Sequence, residues 1–137
     1  MDVTKIAFVC EGNAGRSQLA TALAERERDR RGLDVEIVTG GIDPSDHVHE
    51  EVIAALAELD IDIGNRTPRR IRPEDVADAE YIVTMGCSAG EFTPPGWDGT
   101  AERWDLEHPS AGDVAAAREQ REEIRTRVER LFDDLAG

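Results

Sequence analysis

Residues 10–17 read Cys-Glu-Gly-Asn-Ala-Gly-Arg-Ser and follow the apolar run Ile6-Ala7-Phe8-Val9. A cysteine and an arginine stand six positions apart, with two glycines and nothing bulky between them. That layout can cradle a tetrahedral oxyanion. The backbone N–H groups of Glu11, Gly12, Asn13, Ala14, Gly15 and Arg16 can point inward at the anion, and a helix starting near Ser17 adds its positive end. The Arg16 side chain supplies a planar fork of donors that matches two oxygens of phosphate or arsenate. Cys10 then sits where its sulfur can attack the central atom. The positive surroundings that hold the anion also favour the thiolate, the nucleophilic form. The segment is not a dinucleotide fingerprint, because it has no Gly-x-Gly-x-x-Gly. It is not a Walker loop either, because no Gly-Lys-Ser/Thr follows.

Such a loop needs a scaffold that aims these groups at one place. Hydrophobic periodicity predicts strands at residues 4–9, 35–38, 81–85 and 104–106. It predicts helices at 17–31, 49–59, 73–77 and 113–135, with Gly32 stopping the first and Pro73 opening the third. Residues 88–103 are rich in Gly and Pro and show no clear period. Strands alternating with helices imply an α/β fold: a three-layer sandwich whose four-stranded parallel sheet carries helices on both faces. Ligands of such sheets bind beyond the carboxyl ends of the strands. Cys10, the Gly40-Gly41 pair and Gly86-Cys87 each follow a strand, so all three are expected to open onto one edge. The length, 137 residues, fits a single domain over 1–137.

Composition narrows the function classes. The formal net charge is −14, from 30 acids against 16 bases, and Lys5 is the only lysine. Such a surface repels nucleic acid and anionic membranes, so neither is expected as a partner. It also repels anionic substrates at long range, so the loop must create a local positive field. Acid enrichment with lysine depletion predicts adaptation to high salt, where screening shortens that repulsion. No run of 18 apolar residues and no signal-peptide pattern is present, which predicts a cytoplasmic protein. The two cysteines, Cys10 and Cys87, make no disulfide scaffold, and no Cys/His spacing suggests a metal site.

With these residues in view, the chain resembles the arsenate reductases of the low-molecular-weight protein tyrosine phosphatase superfamily over nearly its whole length. Cys10 to Ser17 matches the superfamily's Cys-x5-Arg-Ser loop. Asn13-Ala14-Gly15-Arg16-Ser17-Gln18 is similar to the arsenate reductase branch, as is the segment from Gly41 through Val48-His49 to Ile61-Asp62. Val83-Thr84-Met85-Gly86-Cys87 resembles the versions that use a small external thiol. Trp104-Asp105-Leu106-Glu107-His108-Pro109 lines up with the segment that normally ends in Asp-Pro. The resemblance implies that Cys10 is the nucleophile, that Ser17 donates to its thiolate and that Asn13 fixes the loop. It implies a general acid at position 108, where the family has Asp and this chain has His. A histidinium can also donate a proton near neutral pH, with Glu107 or water as the other possible donor.

Two readings stay open for Cys87: a second thiol attacking at Cys10, or a buried structural thiol. A three-cysteine internal relay is impossible with two cysteines. The implied reaction is reduction of arsenate to arsenite through a Cys10 adduct. No cofactor is expected to be bound; the reductant would be an external low-molecular-weight thiol or a thioredoxin- or glutaredoxin-type protein. The competing enzyme reading is hydrolysis of phosphomonoesters through a phosphocysteine. A tyrosine phosphatase needs aromatic cleft walls, and the chain has one Tyr, three Phe and two Trp, of which Trp97 or Trp104 could serve. A third reading is an anion-binding module that has lost its acid.

Overall fold

The computed structural model describes residues 4–107 and 112–136. The element order is β1 (Thr4–Cys10), α1 (Arg16–Arg31), β2 (Val35–Gly41), α2 (Glu50–Ala57), α3 (Pro73–Val76), β3 (Tyr81–Met85), a 3-10 turn (Ala89–Glu91), β4 (Thr100–Arg103) and α4 (Val114–Ala136). The strands form one parallel sheet in the order β2-β1-β3-β4. The chain steps from β1 to β2 on one side and reaches β3 on the other, so the order reverses at β1. A crevice must open at that switch point, beyond the carboxyl end of β1. Cys10 is the last residue of that strand.

Strand β1 is covered on both faces, and its period-two alternation sorts its residues between two cores. Ile6, Phe8 and Cys10 face the layer built by α1, α2 and α4, with Leu19, Leu56, Ile124 and Phe132. Ala7 and Val9 face a thinner layer with Ile71, Val76 of α3, Cys87 and Phe92. The Phe8 and Trp104 rings meet at 5.8 Å and 52°, a tilted pair worth about 0.5–1.5 kcal/mol beyond its buried area.

The α/β architecture agrees with the sequence expectation, but the fourth strand does not lie where expected. It is Thr100–Arg103 rather than residues 104–106. This edge strand is largely exposed, so it carries no apolar alternation to read, and backbone pairing to β3 alone defines it. The Trp104 N–H adds one more bond, to the Thr84 carbonyl at 2.9 Å, and its indole then turns into the core. Smaller shifts occur at element ends. Strands β1 and β2 run on to Cys10 and Gly41 because those two residues pair. Helix α2 is shorter than expected, with His49 preceding it as its N-cap residue.

Candidate active site

The bend after β1 is held from outside by its own carbonyls. The N–H groups of Ile42, Asp43, Ser45 and His49 donate to the carbonyls of Cys10 (3.2 Å), Glu11 (2.8 Å), Gly12 (2.9 Å) and Ala14 (2.9 Å). Gln18 Nε2 donates to the Asn13 carbonyl at 3.0 Å, and the Leu19 N–H to that of Gly15 at 3.0 Å. Six successive carbonyls are therefore turned outward. In a planar trans peptide the next N–H points the opposite way, so the amides of residues 11–16 converge inward. The Asn13 N–H displays this directly by donating to Cys10 Sγ at 3.2 Å. Among the described residues, the amides of Gly12, Ala14 and Gly15 donate to no protein group.

Helix α1 adds to this nest. It begins at Arg16 with no side-chain cap and no acid in its first turn, leaving its positive end open to an anion. Asn13 is in the left-handed region at φ 51°, which asparagine tolerates better than most residues. Close approach explains Gly41: a Cβ there would lie 2.7 Å from the Glu11 carbonyl oxygen and 2.9 Å from the Asn13 nitrogen.

Cys10 is 2% exposed, and a chain of polar groups is aimed at its sulfur. The Arg69 N–H donates to Asn13 Oδ1 at 3.0 Å, which fixes the amide orientation. Asn13 Nδ2 then donates to Ser17 Oγ at 2.7 Å and to Thr39 Oγ1 at 3.0 Å. Thr39 passes its own proton to the Phe8 carbonyl at 2.8 Å. Ser17 Oγ accepts from Asn13, so its hydroxyl proton is free to point at Cys10 Sγ, 2.9 Å away. The Asn13 N–H and, when the sulfur is a thiolate, the Ser17 hydroxyl therefore converge on Cys10 as donors.

Arg16 reaches across the sheet edge. Its Nη1 donates to the Leu106 carbonyl at 3.0 Å. Gln120 Nε2 donates to the next carbonyl, that of Glu107, at 2.5 Å. The segment leading to position 108 is thus tied both to the loop and to α4. His108 itself lies outside the described residues.

A small pocket opens over Cys10 and the loop, with Ser45, His49, Glu51 and Gln120 in its wall. No Phe, Tyr or Trp is among the described lining residues. Trp104 is committed to the core, and Trp97 Nε1 is bonded to the Ala79 carbonyl at 2.9 Å. Cys87 does not line the pocket either. Its S–H points at the Val9 carbonyl, 3.7 Å away, within the thinner layer. Burial, and then the negative charge of a Cys10 thiolate, push its pKa up to about 11.

The fold thus gathers Cys10, Arg16, Ser17 and the loop residues at one point. Three wall residues were not singled out by sequence reasoning. Glu51 sits in the first turn of a short helix and reads there as a dipole partner. Gln120 is one polar residue inside a long charged helix. Ser45 reads as a turn residue. The only signal for any of them was position, since a helix start following the glycine pair that ends β2 must border the crevice.

Residues 5–137 match the family described as low molecular weight phosphotyrosine protein phosphatase. A Halobacterium salinarum protein named "Putative arsenate reductase" is 45% identical over 134 residues, covering 96% of this chain and 93% of that protein. A glutaredoxin arsenate reductase of Synechocystis is 30% identical over 134 residues, covering 96% of this chain and 98% of its own. The solved thioredoxin-dependent arsenate reductase of Corynebacterium glutamicum superposes with a TM-score of 0.79 at 29% identity. That match covers 98% of this chain and 62% of the other.

Proposed function

The chain belongs to the low molecular weight phosphotyrosine protein phosphatase family of cysteine-based enzymes, and on that premise we propose that it is an arsenate reductase. The observation that carries the reading is the pocket itself. Its floor is a cradle of amides under a single cysteine, and its described walls hold no Phe, Tyr or Trp to clasp a phenyl ring. A small inorganic oxyanion suits that shape. The name of the 45% identical relative points the same way.

In the proposed reaction the Cys10 sulfur attacks arsenic while the loop amides and Arg16 hold the oxygens. The thiol, hydrogen arsenate and one proton condense to a Cys10–S–AsO3H adduct, and one arsenate oxygen leaves as water. His108, the residue after the tied Glu107, or Glu107 itself supplies that proton. An external thiol then attacks the Cys10 sulfur. The S–As bond breaks, its electron pair leaves with arsenic, and arsenite departs. Arsenic gains two electrons, and the two sulfurs become a mixed disulfide. A second thiol restores Cys10 by exchange. A low-molecular-weight thiol or a thioredoxin- or glutaredoxin-type protein fills this role; the relatives' names support a redox partner. Cys87 is not assigned the attack, because it is buried, held protonated and absent from the pocket wall.

The test is an assay of arsenate and of p-nitrophenyl phosphate side by side, in high salt, with and without added thiol. Arsenite formation that needs thiol and is lost in Cys10→Ser supports the reading. Thiol-independent release of p-nitrophenol without arsenite overturns it. That second outcome is the phosphatase reading, which the family's own description favours.

A further inference from the structure

The Cys10 pocket joins two opposite chemistries. Its floor is made of donors: loop amides, the open end of α1 and the Arg16 guanidinium. Its wall presents acceptors. Glu51 lines the pocket with a side chain only 8% exposed, and its ion-pair neighbour is His49 Nδ1 at 3.6 Å. Gln120, also 8% exposed, lines the pocket as well. Its Nε2 must face the Glu107 carbonyl, which fixes the amide orientation and leaves Oε1 as the other end. Among the described residues that buried oxygen has no hydrogen-bond partner.

Neither acceptor serves a tetrahedral anion. A carboxylate repels it, and a carbonyl oxygen offers it nothing. A buried acceptor without a donor, as Gln120 Oε1 is among the described residues, is costly and marks a place where a donor can arrive. A group that fits there must carry hydrogen-bond donors, and beside a carboxylate a cationic N–H donor is favoured over a neutral one. It must also come close to Cys10, because the same pocket holds both.

We propose that Glu51 and Gln120 form a subsite for the ammonium group of a small aminothiol, which places the thiol's sulfur over Cys10. The thiol's role rests on the arsenate reductase reading. The electron balance is unchanged: the aminothiol is oxidised to a mixed disulfide with Cys10 as arsenite leaves.

Two measurements test the subsite, both in 1 M salt to screen the protein's overall negative charge. The first compares cysteamine with 2-mercaptoethanol as reductant, per unit of thiolate. Cysteamine is expected to be preferred by about 10-fold or more in kcat/KM. Glu51→Gln should bring the two within about 2-fold of each other, and Gln120→Glu should widen the preference. The second compares alkylation of Cys10 by 2-bromoethylamine and 2-bromoethanol, with no arsenate present. The cationic reagent should be favoured in the native protein, and the bias should vanish in Glu51→Gln.

An equal response to both reagents, or a bias that survives Glu51→Gln, overturns the subsite. A change in arsenate KM with no change in thiol preference also overturns it, because Glu51 would then act on the anion. If alkylation shows the bias but no thiol supports arsenite formation, the subsite stands and the reductase reading falls.

Discussion

The Arg16 guanidinium rests on the backbone of Gly86: a Cβ built there would lie 2.8 Å from both Nη1 and Nη2. Gly86 has φ +83° and directly follows β3. The Leu106 carbonyl holds Nη1 from beyond β4. The anion-binding fork is therefore set by two turns that lie far away in sequence.

Gly86→Ala meets both a left-handed backbone and an occupied space. The conformational cost alone is about 1–2 kcal/mol. Displacing the guanidinium should weaken binding of sulfate or phosphate by about 10-fold or more, as expected for loss of a bidentate charged contact. Titration calorimetry and a thermal melt read the two effects separately.

Ser17→Ala removes the hydroxyl aimed at Cys10 and leaves the amide nest intact. A hydrogen bond to a charged group is worth about 1.5–3 kcal/mol. Alkylation of Cys10 by iodoacetamide at pH 7, and turnover with it, should fall about 10–100-fold. Affinity for sulfate should stay within about 2-fold, because the donors that hold it are backbone N–H groups. Equal losses in both would mean that Ser17 shapes the loop rather than the sulfur.

Glu58 joins α2 to α4. It accepts from Arg118 Nε and Nη2 at 2.9 and 2.7 Å and from Arg121 Nη1 at 2.8 Å. Hydrogen bonds from Arg118 and then Arg121 lower its pKa from 4.5 to about 2. A depressed carboxylate pKa stabilises the fold above the unfolded value and loses that contribution as pH falls through the folded one. The melting temperature of the native chain should exceed that of Glu58→Gln by a constant amount above about pH 5. The gap should close between about pH 4.5 and 2, and 1 M salt should narrow it because Glu58 and Arg118 are exposed.

Cys87 is held as a thiol up to about pH 11. At pH 8, iodoacetamide should label the native protein at Cys10 and leave Cys87 unmodified until denaturant is added. Cys87→Ala should keep arsenite production within about 2-fold when a small thiol is supplied, apart from a modest stability loss from the emptied volume. A turnover loss of about 100-fold would make Cys87 the attacking thiol.

Much of the site was legible in the eight residues from Cys10 to Ser17, because an oxyanion loop is built from local backbone and its chemistry lies in consecutive positions. The central strands were legible for a related reason: Ile6 to Val9 and Tyr81 to Met85 are buried on both faces and read as continuous apolar runs. The edge strand escaped because Thr100 to Arg103 owe their conformation to a neighbour and not to their own pattern. Gln120 and Glu51 escaped because their role depends on α2 and α4 meeting beside the loop. The expected acid, His108, lies outside the described residues.

All six carbonyls of the loop are engaged by protein donors. Its curvature does not depend on what enters, so the cradle measures only size, charge and tetrahedral shape. Phosphate shares all three with arsenate. On the proposed reaction, discrimination cannot occur at capture. It must arise afterwards, where a sulfur–arsenic bond yields to a second thiol and a sulfur–phosphorus bond does not. Phosphate would then act as a standing occupant, and its abundance would throttle turnover however tightly the loop grips.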